Sequence, residues 1–268
     1  MNVADVEEPS YDAGKEDHKT DFVQSLARGV AVIRAFDAQH ATLSLSGVAR
    51  RADIPRAAAR RFLRTLETLG YVRGKDKMFT LTPRVLELGH SYLSSQSIPE
   101  IMQPHLEVAA LQLRESVSGA VLDGADVVYV ARVPAKRIMT VNITIGTRFP
   151  AHATSLGRAL LADLPAAELE NLFTRNPPHK LTSQTVTSLA ELERVLETVR
   201  HQGWAFVSEE LELGLRSIAV PVRDKNGRVS AAINCSLPSS EPIDRLLTEI
   251  APTLLQAASA IEAELRLT

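Results

Sequence analysis

Residues 44–83 read SLSGVARRADIPRAAARRFLRTLETLGYVRGKDKMFTLTP, and the order of signals along this stretch decides the fold of the first part of the chain. SLSGVARRAD (44–53) reads as a short helix with Ser44 or Ser46 as its N-cap. Ile54-Pro55 interrupts it, because a residue before proline is pushed out of helical geometry. A second helix then runs from Arg56 to Leu69 and stops at Gly70, a good helix terminator. Tyr71-Val72-Arg73 and Met78-Phe79-Thr80-Leu81 read as two strands around a polar Gly-Lys-Asp-Lys tip, a hairpin signature.

On a helix at about 100° per residue, Ala59, Phe62, Leu63, Leu66 and Leu69 fall within one arc of about 120°. Arg56, Arg60, Arg61 and Arg64 fall on the other side, within about 140°. One face can enter a core while the other offers four guanidinium groups to guanine edges or phosphates. Ala57 and Ala58 are small enough to allow close approach to bases. A short helix, a tight turn and a basic second helix make a helix-turn-helix with the second helix reading DNA. Arg73, Lys75 and Lys77 on the hairpin suit a wing along the phosphate backbone. The bland alternative is a solvated basic helix in an ordinary three-helix unit, and the basic hairpin weighs against it.

Charge distribution supports the same segment. Residues 1–20 hold two lysines and six acidic residues, which suits a disordered acidic tail. Residues 21–90 hold twelve Lys/Arg against six acidic residues, and the rest hold sixteen against twenty. The near-neutral net charge of −2 therefore hides a basic segment, and polyanion binding needs only a local patch. Before this unit, Leu26, Val30, Ile33 and Phe36 lie at helical spacing over 23–37. After it, a linker helix over 83–97 carries Val85, Leu86, Leu88, Tyr92 and Leu93, more apolar surface than a lone connector needs.

The 268 residues suit two domains: a winged helix-turn-helix over 21–82 and an α+β domain over 98–268 with a largely antiparallel sheet. In the latter, helices are expected at 99–115, 155–162, 166–173, 188–202 and 242–266. Strands are expected at 117–122, 126–133, 138–145, 204–208, 216–222 and 229–236, with Asn226-Gly227 turning between the last two. No apolar run reaches membrane-spanning length and no signal peptide is evident, so a cytoplasmic protein is expected. The single cysteine, Cys235, cannot build a disulfide framework or a cysteine metal cluster. It lies in the β run AAINCSL, so an inert buried thiol is favoured over a nucleophile. With no G-x-S-x-G, H-E-x-x-H, phosphate loop or dinucleotide fingerprint, neither catalysis nor a cofactor is expected.

LSLSGVARRADIPRAAARRFLRTLETLGYVRGKDKMFTLTPRVLELG resembles the winged helix-turn-helix of IclR-type regulators. FPAHATSLGRALLA (149–162) and EELELGLRSIAVPVRDKNGRVSAAINCS (209–236) resemble that family's two effector-domain signatures. FVQSLARGVAVIRAFD, LTPRVLELGHSYLSS and ARVPAKRIMTVNI are similar to the branch governing protocatechuate, 4-hydroxybenzoate and β-ketoadipate catabolism. The resemblance implies a GAF-like effector domain, double-stranded operator DNA and a small carboxylate effector as partners, and a homodimer that can assemble to a tetramer. It implies effector contacts at Thr154, Ser155, Ser217, Asn234 and Ser236; Met139 and Arg137 join that set. Glyoxylate-type sensors carry cysteine where Ser217 stands, serine where Asn234 stands, and an acidic residue where this chain has Val207-Ser208. These departures point away from a two-carbon keto acid. Arg132, Arg137, Arg148 and Arg216 are unranked candidates to pair with the carboxylate. Ser217 and Ser236 could instead be ordinary strand residues, Asn234 a satisfied core amide, His152 a structural histidine, and Glu209-Glu210 a solvated turn.

Overall fold

The computed structural model describes residues 22–89, 97–135 and 143–267, and the chain divides into two units, Met1–Tyr92 and Leu93–Thr268. The acidic tail expected over 1–20, and residues 90–96 of the expected linker helix, lie outside the described residues.

In the first unit, α1 (Gln24–Arg34) turns Val32 and Ile33 inward, and Phe36 follows them. Its expected stripe is only half buried, since Leu26 and Val30 are 67% and 47% exposed. The short strand β1 (Thr42–Ser44) leads into α2 (Leu45–Arg51), whose first turn is capped by Ser44 accepting from the Gly47 N–H at 3.2 Å. That choice over Ser46 leaves the hydroxyl one residue outside the helix, where a cap must sit. Asp53 takes a left-handed φ of 51° in the turn, which a short polar side chain tolerates. Pro55 then opens α3 (Arg56–Thr68), which ends at Gly70 with φ +83°. Ala59, Leu63 and Leu66 of α3 close the core with Val32, Phe36, Leu43, Val48 and Val72. Each fully buried large aliphatic side chain contributes about 1.5–3 kcal/mol.

β2 (Val72–Lys75) and β3 (Met78–Leu81) form the hairpin, with β1 on the other edge of β3. Lys75 pairs with Met78, so the turn is Asp76-Lys77 alone, at φ 51° and 64°. A two-residue turn of that hand matches the strand twist. The tip is therefore shorter than the Gly-Lys-Asp-Lys expected, because Gly74 and Lys75 pair in the ladder. A 3-10 turn over Pro83–Val85 and helical residues 86–89 come next.

The second unit is built on one antiparallel sheet of order β6-β5-β4-β9-β8-β7. Its strands are β4 (Ser116–Asp123), β5 (Asp126–Val133), β6 (Arg148–Pro150), β7 (Ala205–Ser208), β8 (Leu215–Arg223) and β9 (Val229–Pro238). The strand expected at 138–145 differs: 143–145 is not strand, 138–142 lies outside the described residues, and β6 comes later. The β8–β9 turn holds Gly227 at φ +79°, with the Asp224 carboxylate accepting from the N–H groups of Asn226 and Arg228. Only the glycine is left-handed, so this is the longer type I turn with a glycine bulge rather than a two-residue Asn-Gly turn.

Alternation along the strands sends two apolar sets to opposite faces. Val117, Ala131, Ile218, Val220, Ile233 and Cys235 pack under α4 (Ser97–Leu113) and the C-terminal helix. That helix comprises α8 (Ile243–Arg245), a π turn (Leu246–Ile250) and α9 (Ala251–Leu265). Pro252 has no N–H for the carbonyl four residues back and crowds it, which accounts for the widened turn. On the other face, Ala120, Val127, Tyr129, Ala219 and Ala232 pack under α5 (Ser155–Leu161), α6 (Ala166–Arg175) and α7 (Leu189–Gln202).

Candidate nucleic-acid interface and effector cleft

Arg56, Arg60, Arg61 and Arg64 are all exposed on α3, opposite Ala59, Leu63 and Leu66. None of these guanidinium groups has an ion pair or hydrogen bond among the described residues. By contrast, Arg51 is committed inside the unit, to Asp37 at 2.5 Å and to the Ala35 carbonyl at 2.6 Å. Arg56 and Arg64 stand about 12 Å apart along the axis at 1.5 Å per residue. Ala57 is exposed and Ala58 half-buried, so nothing bulky rises between the arginines. Phe62 is half-buried, but Leu69, just past the last helical residue, is 50% exposed. Arg73, Lys75 and Lys77 are exposed on the hairpin, which the Glu67 carboxylate holds to α3 by accepting from the Gly74 N–H at 3.0 Å.

In the second unit, cross-strand pairing lines up Ser116, Ser236, Ser217 and Val207 in one row, and Arg132, Ser118, Asn234 and Ala219 in the next. Directly paired residues share a face. A small cleft opens here, with room in this structure for about one water molecule. It is lined by Thr154, Ser217, Asn234 and Ser236 together with Tyr129, Ile143, Ala153, Val207, Leu211 and Leu215. Asn234 is buried; its Nδ2 donates to the Ser236 Oγ at 3.2 Å, and its Oδ1 has no partner. Tyr129 meets Phe149 edge to face, and burial pushes its phenol up to about 12, so it stays neutral.

The expected site residues are not all brought together. Thr154 lines the cleft, but its hydroxyl accepts from the Gly157 N–H at 3.0 Å, capping α5. Ser155 is fully buried and does not line the cleft, because the first residue of α5 turns into the unit's interior; its Oγ has no partner. Met139 and Arg137 lie outside the described residues. Cys235 faces the opposite core, where burial pushes its thiol up to about 12, so it carries no thiolate at neutral pH. His152 donates through Nε2 to the His179 carbonyl at 3.0 Å, and burial holds its pKa below the usual imidazole value. It acts as a structural histidine.

Arg158, which the sequence left unassigned, pairs with Glu210, which is buried rather than part of a solvated turn. Arg158, 2% exposed, donates to the Glu210 carboxylate at 2.6 Å and to the His152 carbonyl at 3.0 Å. Glu210 Oε2 also accepts from the Val186 N–H, and the Glu210 carbonyl accepts from the Thr185 hydroxyl. Glu210 is therefore buried and paired, while Glu209 is half-exposed at φ 60° and accepts from the Gly214 N–H. The network fastens the loop carrying Leu211, which leads into β8 at Leu215, to α5. One arginine inside the apolar run LGRALLA was the available signal, since a lone charge there must be paired. The described residues contain no group of three or more metal-ligating side chains, and no described helix is long and apolar enough to cross a membrane.

An unpaired arginine face on a helix-turn-helix, together with a mostly apolar cleft carrying a few polar side chains in a separate α+β unit, defines a transcription regulator with an effector domain. Residues 25–76 match the IclR helix-turn-helix domain and residues 90–263 the bacterial transcriptional regulator IclR C-terminal domain, and the chain belongs to the IclR family. The Pca regulon regulatory protein of Pseudomonas putida is 43% identical over 217 residues, covering 81% of this chain and 75% of that protein. A Rhodococcus sp. RHA1 structure matches with a TM-score of 0.83 at 51% identity, covering 92% of this chain and 99% of its own. An IclR homolog from Microbacterium hydrocarbonoxydans, solved in complex with 4-hydroxybenzoate, matches with a TM-score of 0.80 at 27% identity, covering 91% and 100%.

Proposed function

We propose that this regulator controls genes of aromatic-acid catabolism, binding operator DNA as a cytoplasmic homodimer and responding to a small aromatic carboxylate. The observation that carries the DNA-binding half is the set of four exposed, unpaired guanidinium groups opposite the buried face of α3. Arg56, Ala57, Ala58, Arg60, Arg61 and Arg64 then meet the major groove, with Arg73, Lys75 and Lys77 along the phosphates. The effector half rests on the polar row in the cleft, on the Pca regulon relative and on the 4-hydroxybenzoate complex of the homolog. Ser217, Asn234, Ser236 and the backbone at Thr154 are the contacts this placement supports.

Dimerisation is supported by apolar surface on the first unit: Phe22, Val23, Leu26 and Val30 at α1, and Leu86 and Leu88 beyond the hairpin, all exposed. Exposed large apolar side chains in such number suit an interaction site, and a two-fold dimer reads a palindrome. The segment 83–97 joins the two functions. Effector binding shifts the dimer toward one DNA-binding arrangement only if the two arrangements bind effector unequally. No catalytic step is assigned to the chain.

A gel-shift titration with operator DNA, with and without 4-hydroxybenzoate or protocatechuate, tests the whole reading. Arg60→Ala or Arg64→Ala should weaken operator binding by about 30-fold or more, since a base-reading arginine is worth about 1–3 kcal/mol and occurs twice in a dimer. Each should also flatten the salt dependence if it meets phosphate. Equal operator affinity after either change would remove α3 from the groove. Ser217→Val should leave operator binding intact and weaken effector binding about 5–10-fold, the worth of one hydrogen bond. An unaltered effector titration would take Ser217 out of the site.

A further inference from the structure

We infer that Arg132 receives the effector's carboxylate, while Asn234, two strands away in the same row of the sheet, receives a second polar group. The inference rests on the effector reading above and names the residue that gives it charge selectivity.

The decisive feature is a bulge. Along β5, Val127 and Tyr129 face the cleft side of the sheet. Strict alternation would then send Arg132 to the opposite face. The pairing instead steps from Ala120–Tyr129 directly to Gly119–Ala131, leaving Val130 unpaired. After that step Ala131 and Val133 pack on the α4 side, and Arg132 pairs with Ser118 on the cleft side. An extra residue in one strand re-aims the side chains beyond it. The Arg132 Nη1 donates to the Ser118 Oγ at 3.1 Å, and Ser118 in turn pairs with Asn234. At strand spacings of about 4.8 Å, Arg132 and Asn234 stand about 10 Å apart at the backbone.

Arg132 is half-buried and makes no ion pair among the described residues. Partial desolvation lowers its pKa, the mark of a cation short of compensation. Among the described residues, the other arginines weighed for this role, or placed beside the cleft, are committed elsewhere. Arg158 holds Glu210. Arg148 holds Asp123 and Asp126 at the surface. Arg216 lies on the opposite face from Ser217, donating to the Ser208 hydroxyl and the Glu241 carbonyl. At the other end of the row, the buried Asn234 Oδ1 has no partner, an independent sign that a ligand group belongs there. An anionic end at Arg132 and a hydroxyl or carbonyl end at Asn234 describe a hydroxy or keto acid lying across β4.

The test titrates the full-length protein, as wild type, Arg132→Gln and Arg132→Lys, with 4-hydroxybenzoate, protocatechuate, β-ketoadipate and the neutral 4-hydroxybenzamide. Expected is a loss on the order of 100-fold in carboxylate affinity for Arg132→Gln, as for truncation of one partner of a buried charge pair. Affinity for the amide should hardly change, and Arg132→Lys should recover part of the loss. Operator affinity without effector should match wild type in both variants, which excludes misfolding. Unchanged carboxylate affinity in Arg132→Gln overturns the assignment. So does equal loss of acid and amide without rescue by lysine, which marks a structural residue. A wild-type protein that takes only β-ketoadipate removes the aromatic reading while leaving the Arg132 comparison intact. One that takes no carboxylate overturns both.

Discussion

Replacing Glu210 by alanine should destabilise the effector unit by about 3–5 kcal/mol, the cost of stranding one charge of a buried pair. Arg158 would keep its positive charge in the interior with only the His152 carbonyl left to it, and the Val186 N–H would lose its acceptor. For a unit of this size that loss corresponds to a fall in melting temperature on the order of 10 °C. The effect is not a measure of the pair's net worth, because charges that are removed together cost far less. The double variant Arg158→Met/Glu210→Leu should therefore recover most of the stability that Glu210→Ala loses. It should not recover effector affinity in full, since Leu211, on the loop the pair fastens, and Leu215, where that loop enters β8, line the cleft. Urea unfolding of the three proteins checks this. A loss below about 1 kcal/mol, the range of exposed pairs, would show that the carboxylate is not buried in solution.

The DNA-binding unit was readable because its determinants are local. Pro55, Gly70 and the arginine face of residues 56–64 act within one or two helical turns of themselves, so period and punctuation sufficed. The unread parts are those set by distant partners. Leu26 and Leu69 fit the expected apolar stripes yet remain exposed, because burial depends on what else is present and not on spacing alone. Arg158 finds Glu210 fifty-two residues along the chain, which no local pattern reports. The bulge at Val130 leaves the composition of β5 strand-like while reversing which face its last residues occupy. The polar residues of β8 and β9 were legible for the opposite reason: Ser217, Asn234 and Ser236 obey the plain two-residue alternation of paired strands. Ser155 was misplaced because one more residue along α5 rotates a side chain by about 100°, from the cleft wall into the interior.

Gly157→Ala should be the most damaging single methyl group in the protein. By helix propensity alone the change should stabilise, since glycine inside a helix is about 0.8–1.0 kcal/mol worse than alanine. The packing reverses the sign. A Cβ at residue 157 would overlap the Ala151 carbonyl oxygen, carbonyl carbon and Cα. These are backbone atoms, so no rotamer change relieves the clash, and either the 151–153 turn or α5 must move. Every residue of α5 is buried, and Thr154 caps it through the Gly157 N–H itself, so neither element can shift alone. A displaced α5 would also carry Arg158 away from Glu210. The expected loss exceeds about 3 kcal/mol, beyond the usual range for overpacking. It should appear as a lowered urea midpoint with no effector response at any concentration tested. A protein of wild-type or higher stability would mean that propensity governs this position, and that the turn before α5 does not press on the helix as the structure has it.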